Sequence, residues 1–295
     1  MHETYKKIPI DDSLIVGDLE LIKSLGGWFI ANGGIYGTPN DQVPVTISFN
    51  HGRAASIAKG SKYFSLKGTG WTYGLKPFHV SEKDSELCFG LYSVKAAIRE
   101  MKISKELDNL GIHATKVRGY APIRIDPEPR YSNGTLVDPC ILYTESFTPH
   151  RIGDLTFFDP EQRHKLIGQA AGFLGAEPEN YHLAMAQRLA KSVAQMHSAG
   201  YCNDTLDMGN VTIFGEITDF EWITSPITPL HWGDDAGSLR LRQRKEIIYL
   251  FEVCATTALL TRGSFDSKIL WDAIQANYLS FLPNNADFFV LEPSL

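Results

Sequence analysis

Apolar residues along this chain change their period near residue 149. Before it they come in short runs of strand character, and after it they recur at helical spacing. Residues 43–49, 54–58 and 63–66 read as strands of an antiparallel sheet, with Asn50-His51-Gly52 as a turn after the first. Upstream, residues 19–25 fit a short helix stopped by Gly26-Gly27, and Trp28-Phe29-Ile30 a strand before an Asn32-Gly33-Gly34 turn. One long helix interrupts the strands. Across 89–110, Leu91, Val94, Ile98, Met101 and Leu107 fall on or near one stripe, and Gly111 stops it. Residues 112–125 and 141–144 read as further strands, separated by a break at 126–130 and a turn through Asn133-Gly134. Helices follow at 161–174, 183–198, 245–261 and 268–281. The pattern predicts an α+β chain in two parts, a strand-rich lobe over 1–148 and a helical lobe over 149–295. Ligand sites collect in clefts between such parts.

Composition narrows the class. The 295 residues suffice for one large domain or two lobes, and 43% hydrophobic with 21% charged residues is the balance of a globular chain. No apolar run approaches the roughly 20 residues of a membrane span. Residues 1–19 lack the apolar core and small-residue cleavage site of a secretion signal. A net charge of −6 without a basic block argues against nucleic acid as the main partner. Cys88, Cys140, Cys202 and Cys254 are too widely spaced for a zinc motif and suit reduced thiols, so a cytoplasmic protein is expected.

Candidate chemistry centres on residues 196–222, MHSAGYCNDTLDMGNVTIFGEITDFEW. A helix ends at Gly200, a polar loop follows, and Asn210 opens a short apolar strand. A Gly215-Glu216 turn then returns the chain to Asp219-Phe220-Glu221. A hairpin over 203–222 would bring the Asn210 amide oxygen to the Asp219 carboxylate, hard oxygen donors suited to Mg²⁺ on ATP. Kinases hold their metals with an Asn of the catalytic loop and an Asp before Phe. The plainer alternative is a hairpin with a capping Asn and a surface Asp. Upstream, Lys67 ends a strand beside Gly68 and Gly70, an arrangement that can hold phosphate. Glu100, in mid-helix, could face the sheet and pair with it, as the kinase lysine and glutamate do. Each residue alone would more often be solvated. Residues 33–37 do not match GxGxxG and read as a plain turn, and His197 reads as a cation at a helix C-terminus.

With these residues in view, the chain resembles the SelO family, the selenoprotein O-like and bacterial YdiU proteins, which are kinase-fold protein adenylyltransferases. Asn50-His51-Gly52-Arg53-Ala54 resembles that family's GDGRA, and Leu66-Lys67-Gly68-Thr69-Gly70-Trp71-Thr72 its LKGAGxT. Ile98-Arg99-Glu100-Met101 through Leu110-Gly111-Ile112 is similar to IREFLxSEAxxxLGI without a gap. Gly200-Tyr201-Cys202 through Asn210-Val211-Thr212-Ile213 is similar to GFxHGVMNTDNMSI. The likeness covers roughly residues 45–260. It implies a bilobal protein-kinase-like fold in which Lys67 contacts nucleotide phosphates, Glu100 pairs with it, and Asn210 and Asp219 bind Mg²⁺. It also implies that ATP lies flipped, so that AMP is transferred to an acceptor. Arg151 matches the second of two phosphate-binding arginines, and Thr144 stands where the first is expected.

The departures concern the base. Gly209 replaces the family's Asp before the metal-binding Asn, Asn203-Asp204 replaces its HG, and Thr205 replaces the Asp of ordinary kinases. Asp207 and Asp204 are the nearby carboxylates that could substitute, although Asp207 also suits a turn residue or a third metal ligand. The chain ends soon after Asp219 by that family's standards, as expected of a compact or divergent member. The leading expectation is an Mg-ATP-dependent adenylyltransferase acting on a hydroxyl of a protein or small molecule. The alternatives are a phosphotransferase with ATP in the ordinary orientation and a nucleotide-binding pseudokinase scaffold.

Overall fold

A computed structural model describes residues 5–8, 10–30, 54–70, 90–125, 128, 130, 133–226 and 236–290. The predicted strand at 43–49, the turn at 50–52 and the glycines of 33–37 lie outside these residues. Contacts divide the chain into two compact units. The first comprises Met1–Lys102 and Thr115–Pro149, the second Ile103–Ala114 and His150–Leu295. The architecture is α+β, a strand-rich part with one long helix followed by a helical part, in the element order predicted for a protein-kinase-like fold.

In chain order the first unit contributes β1 (Tyr5–Ile8), β2 (Val16–Gly17), α1 (Leu19–Leu25), β3 (Gly27–Ile30), β4 (Ala54–Lys59), β5 (Lys62–Lys67), β6 (Tyr92–Ser93), the start of α2 (Val94–Asn109), β7 (Lys116–Pro122) and β8 (Pro139–Ser146). β1 and β3 pair alone, while the other strands form an antiparallel sheet of order β2-β7-β8-β5-β4, with β6 also on β8. Every residue of β8 is buried, and its two faces serve different partners. Ile141 and Tyr143 pack with Ile22 and Leu25 of α1 and with Phe64 and Leu66. Cys140 and Leu142 point the other way, to Tyr92, Ala97 and the partly buried Ile98 and Met101 of α2. That is the period-2 alternation of a strand covered on both faces. Each large aliphatic side chain so buried contributes about 1.5–3 kcal/mol.

The second unit contains α3 (Pro160–Leu174), α4 (Tyr181–Ser198), β9 (Cys202–Asn203), β10 (Ile223–Thr224), α5 (Ala236–Arg262) and α6 (Ser267–Leu279). α3 starts where Asp159 caps it with Pro160 in the first turn, and ends at Gly175 in the left-handed conformation. α4 packs against both α5 and α6. It buries Met185, Leu189, Ala190, Val193 and Met196, an i, i+4, i+5, i+8, i+11 series that forms one continuous face.

Three boundaries differ from expectation for clear reasons. The helix predicted over 89–110 begins at Val94, because Tyr92 and Ser93 pair with β8 as β6. The strand predicted at 112–125 begins at Lys116, because residues 113–114 turn to another partner. The Ile217 N–H donates to the His113 carbonyl at 3.1 Å, and Ala114 bridges Ile217 in parallel. α5 begins at Ala236, not 245. Its first turns are held by tertiary bonds of polar side chains: Arg242 to Asp204, and Gln243 Nε2 to the carbonyls of His197 (3.3 Å) and Tyr201 (3.2 Å).

Candidate functional site

Within the first unit, Lys67 ends β5 and Glu100 lies in mid-α2, 33 residues away in sequence. Lys67 Nζ donates to Glu100 Oε1 at 2.7 Å, and both side chains are nearly inaccessible, at 6% and 3%. Tyr92 completes the arrangement. Its hydroxyl donates to the same Glu100 oxygen at 2.5 Å, and the Lys67 ammonium stands 4.4 Å from its ring centroid. Nothing in sequence spacing marked Tyr92, which reaches the pair only because β6 lies beside β8. Gly68 follows with φ 98°, and a Cβ there would lie 2.5 Å from the Cys140 carbonyl oxygen and 2.8 Å from Tyr92 Cβ. Glycine is thus required here by packing against β8 and β6, whatever ligand the backbone meets. Gly70, at φ 90°, donates its N–H to the Gly90 carbonyl at 3.0 Å.

Within the second unit, the predicted hairpin is present as a tight reversal with few ladder bonds. Thr212 N–H donates to the Glu216 carbonyl (2.9 Å) and Thr218 N–H to the Asn210 carbonyl (3.0 Å), so Asn210 and Thr218 face each other. The reversal is pinned from outside as well. Ile213 N–H donates to His150 O (3.1 Å), and the buried Tyr181 hydroxyl donates to Ile213 O (2.6 Å). This bracing holds Asp219 at φ 62°, ψ 76°, the only non-glycine residue at positive φ among the described residues. Such a backbone costs on the order of 1–3 kcal/mol and clusters at functional sites. The carboxylates of Asp219 and Glu221 come within 4.8 Å of each other. Glu221 was not singled out from sequence, although its place two after Asp219 puts it on the same short 3-10 turn.

The loop before the hairpin places the two candidate bases differently. Arg242 grips Asp204 through Nε on Oδ1 (2.8 Å) and Nη2 on Oδ2, so both carboxylate oxygens are engaged. Asp204 is therefore an ion-paired anchor of α5, ill placed to accept a proton from a substrate. Asp207 Oδ1 accepts the Gly209 N–H at 2.7 Å, and its carbonyl accepts the Asn210 N–H at 3.0 Å. Crowding by protein raises the pKa of this carboxyl, opposed by the Gly209 N–H and Arg151 and reinforced by Asp219. The residue as a whole is exposed, which tempers the shift. A cavity of about 340 Å³ opens beside it, lined by Asp207, Leu206, Met208, Tyr249, Glu252 and Leu259 among others.

Because the folded-state pKa of Asp207 lies above the ordinary 3.8, its protonated form contributes stability that is complete below that value. The contribution is lost as pH rises through the folded-state pKa. Asp207→Asn is expected to flatten the dependence of Tm on pH in the acidic range above 3.8, read by thermal unfolding at a series of pH values.

Arg151, expected at the phosphates, is buried and directed at this loop. Its Nη1 donates to Gly209 O and, at 3.2 Å, to Asn210 Oδ1. Asn210 Nδ2 in turn donates to Thr205 O at 2.7 Å. As a donor set for Mg²⁺, the Asp219 and Glu221 carboxylates fit, being hard oxygens close together, while the Asn210 oxygen already has a cationic partner.

His197 lies in the last turn of α4, as its sequence position suggests, and is buried there: Nδ1 meets Tyr278 Oη at 2.7 Å, and Nε2 meets Glu246 Oε2 at 2.9 Å. The same Glu246 oxygen accepts the Asn203 N–H at 2.9 Å, tying α4, α5 and the loop together. Truncation by Glu246→Ala strands two buried donors at about 1–3 kcal/mol each. A lower urea midpoint with reduced order in the loop is the expected result.

No family model and no curated protein matches the chain. Among solved structures it is similar to a Stt7 homolog from Micromonas algae soaked with ATP, at 15% identity and a TM-score of 0.46, over 87% of this chain and 80% of that one. It is also similar to a Toxoplasma gondii specific rhoptry antigen kinase domain, at 10% identity and a TM-score of 0.41, over 77% and 71%. WaaP in complex with acyl carrier protein aligns at 12% identity and a TM-score of 0.34, over 85% and 90%.

Proposed function

We propose that this chain is an ATP-dependent transferase of the SelO-like kind, moving AMP to a hydroxyl of a protein or small-molecule acceptor. The observation that carries the ATP-dependent part of the reading is the buried Lys67–Glu100 pair with Tyr92 against it, while AMP as the group moved rests on the sequence resemblance alone. Burying such a pair costs desolvation that its mutual attraction barely offsets, so it is poorly explained by stability alone. It is well explained as an ammonium held rigid for phosphate oxygens.

In this mechanism Lys67, oriented by Glu100, binds the phosphates, and Gly68 and Gly70 keep the backbone near them. Asp219 with Glu221 would hold Mg²⁺, which when bound supplies neutralisation of phosphate charge. Asp207 receives the proton as the acceptor oxygen bonds to the α-phosphorus and the bond to pyrophosphate breaks. A carboxyl pKa raised by burial makes it the better base of the two candidates. The cavity at Asp207 is the place for the acceptor. Acceptors other than nucleic acid fit the net charge of −6, and no described helix is long and apolar enough to cross a membrane.

ATP labelled separately at the α- and γ-phosphates tests the proposal. Transfer of α-label with release of pyrophosphate supports it, whereas γ-label with ADP makes the chain a phosphotransferase. A second reading, a nucleotide-binding scaffold without turnover, is favoured by Thr205 and Gly209 at the two template base positions and by the engagement of Asp204 with Arg242. It predicts a rise in Tm with ATP and no transfer of either label.

A further inference from the structure

The Asn210 side of the site already contains a cation. Asn210 Nδ2 donates to Thr205 O at 2.7 Å, which fixes the amide orientation. The flipped amide would set its oxygen against the Thr205 carbonyl and its NH₂ against a guanidinium. Oδ1 therefore faces Arg151 Nη1 at 3.2 Å, with Gly209 O as the guanidinium's second acceptor. The arginine is not on a mobile stem. Its own N–H donates to Asp154 Oδ2 at 2.7 Å, and it bridges Thr212. The next two N–H groups, of Ile152 and Gly153, donate to Val211 O (2.9 Å) and Met208 O (3.0 Å). The backbone carrying Arg151 is thus stitched to the residues on both sides of Asn210, and the side chain is buried.

We propose that Arg151 takes the cation position at Asn210, so that Asn210 is not a metal ligand in this chain and a divalent ion rests on the Asp219–Glu221 carboxylates instead. The inference rests on the reading of Asp219 as a metal-binding residue but not on which group of ATP is transferred. An amide oxygen that accepts from a guanidinium has its charge demand met, and a divalent ion on the same oxygen would stand in contact with a like charge. Arg151 is the positioning residue in this arrangement. It replaces one metal contact by a fixed protein charge and lowers the site's demand for metal.

Titration of the full chain with Mn²⁺ alone, followed by loss of the free-ion paramagnetic resonance signal, tests this without nucleotide. Asp219→Asn is expected to weaken Mn²⁺ binding by about tenfold or more. Asn210→Ala leaves the wild-type affinity unchanged. Arg151→Gln tightens binding, and in that background Asn210→Ala weakens it, because the amide has become a ligand. Arg151→Lys, which keeps the charge and disturbs the fold least, retains the wild-type pattern. A loss of affinity of about tenfold on Asn210→Ala in the wild-type background would overturn the proposal. So would unchanged affinity in a folded Arg151→Gln, or Mn²⁺ binding by neither wild type nor Arg151→Gln. Binding by Arg151→Gln alone would overturn it too, since the wild-type carboxylates would then hold no divalent ion. Failure of the nucleotide reading shows separately, as no change in wild-type Tm with ATP under any metal condition.

Discussion

Lys67→Met is expected to lower stability by about 3–5 kcal/mol, since it leaves the Glu100 carboxylate charged, buried and short of its principal donor. Glu100→Gln should cost less. The amide can still accept from Tyr92 and from Lys67, whose Nζ to Oε1 distance is 2.7 Å. The informative variant is the double replacement Lys67→Met with Glu100→Leu, in which the ion pair is removed whole. Its loss should fall well below the sum of the singles, with a coupling within the roughly 0.5–3 kcal/mol found for contacting residues. Urea unfolding of wild type, Lys67→Met, Glu100→Leu and the double variant provides the cycle. If the double variant also loses ATP-induced stabilisation while regaining its fold, the pair is kept for its ligand. If it still binds ATP with wild-type affinity, the nucleotide role of Lys67 is excluded.

The second large effect belongs to Asp219. Asp219→Asn should reduce transfer by about 10²-fold or more, because the developing charge loses its electrostatic support. Its stability should stay within about 0.5 kcal/mol of wild type, since Asn tolerates positive φ readily. Asp219→Gly gives the complementary signal. With φ 62° and ψ 76° no longer strained, stability should rise by about 1 kcal/mol while activity is lost. Opposite movement of Tm and turnover at one residue is the signature of strain held for function. Lower Tm in both variants would instead make Asp219 a structural residue.

Much of the helical framework was legible because its signals are local. Asp159-Pro160 and Gly175 bracket α3, and the apolar spacing of α4 announces its buried face. Lys67 and Glu100 were legible as a strand end and a helix residue, and their meeting follows once α2 covers the sheet. What sequence could not supply was partner choice over long separations. Asp204 is readable as a carboxylate, but its Arg242 partner lies 38 residues on, in a Leu-Arg stretch with no helical contrast. Glu246 looks like any helix glutamate until His197 and Asn203 converge on it. Gly68 was readable as a glycine with purpose, yet its neighbours are the Cys140 carbonyl and Tyr92. Arg151 was read toward phosphate, and only tertiary geometry turns it to Asn210.

The central strand β8 also sets a timetable. Its ladder partners, at 62–67, 92–93 and 116–122, are all made before it, so on the ribosome the sheet has no axis until residue 146 emerges. Until then the β4–β5 hairpin offers Phe64 and Leu66 and an unpaired edge to other nascent chains. Truncated products ending before 139 should therefore aggregate, and slower synthesis across 68–138 should lower the soluble yield.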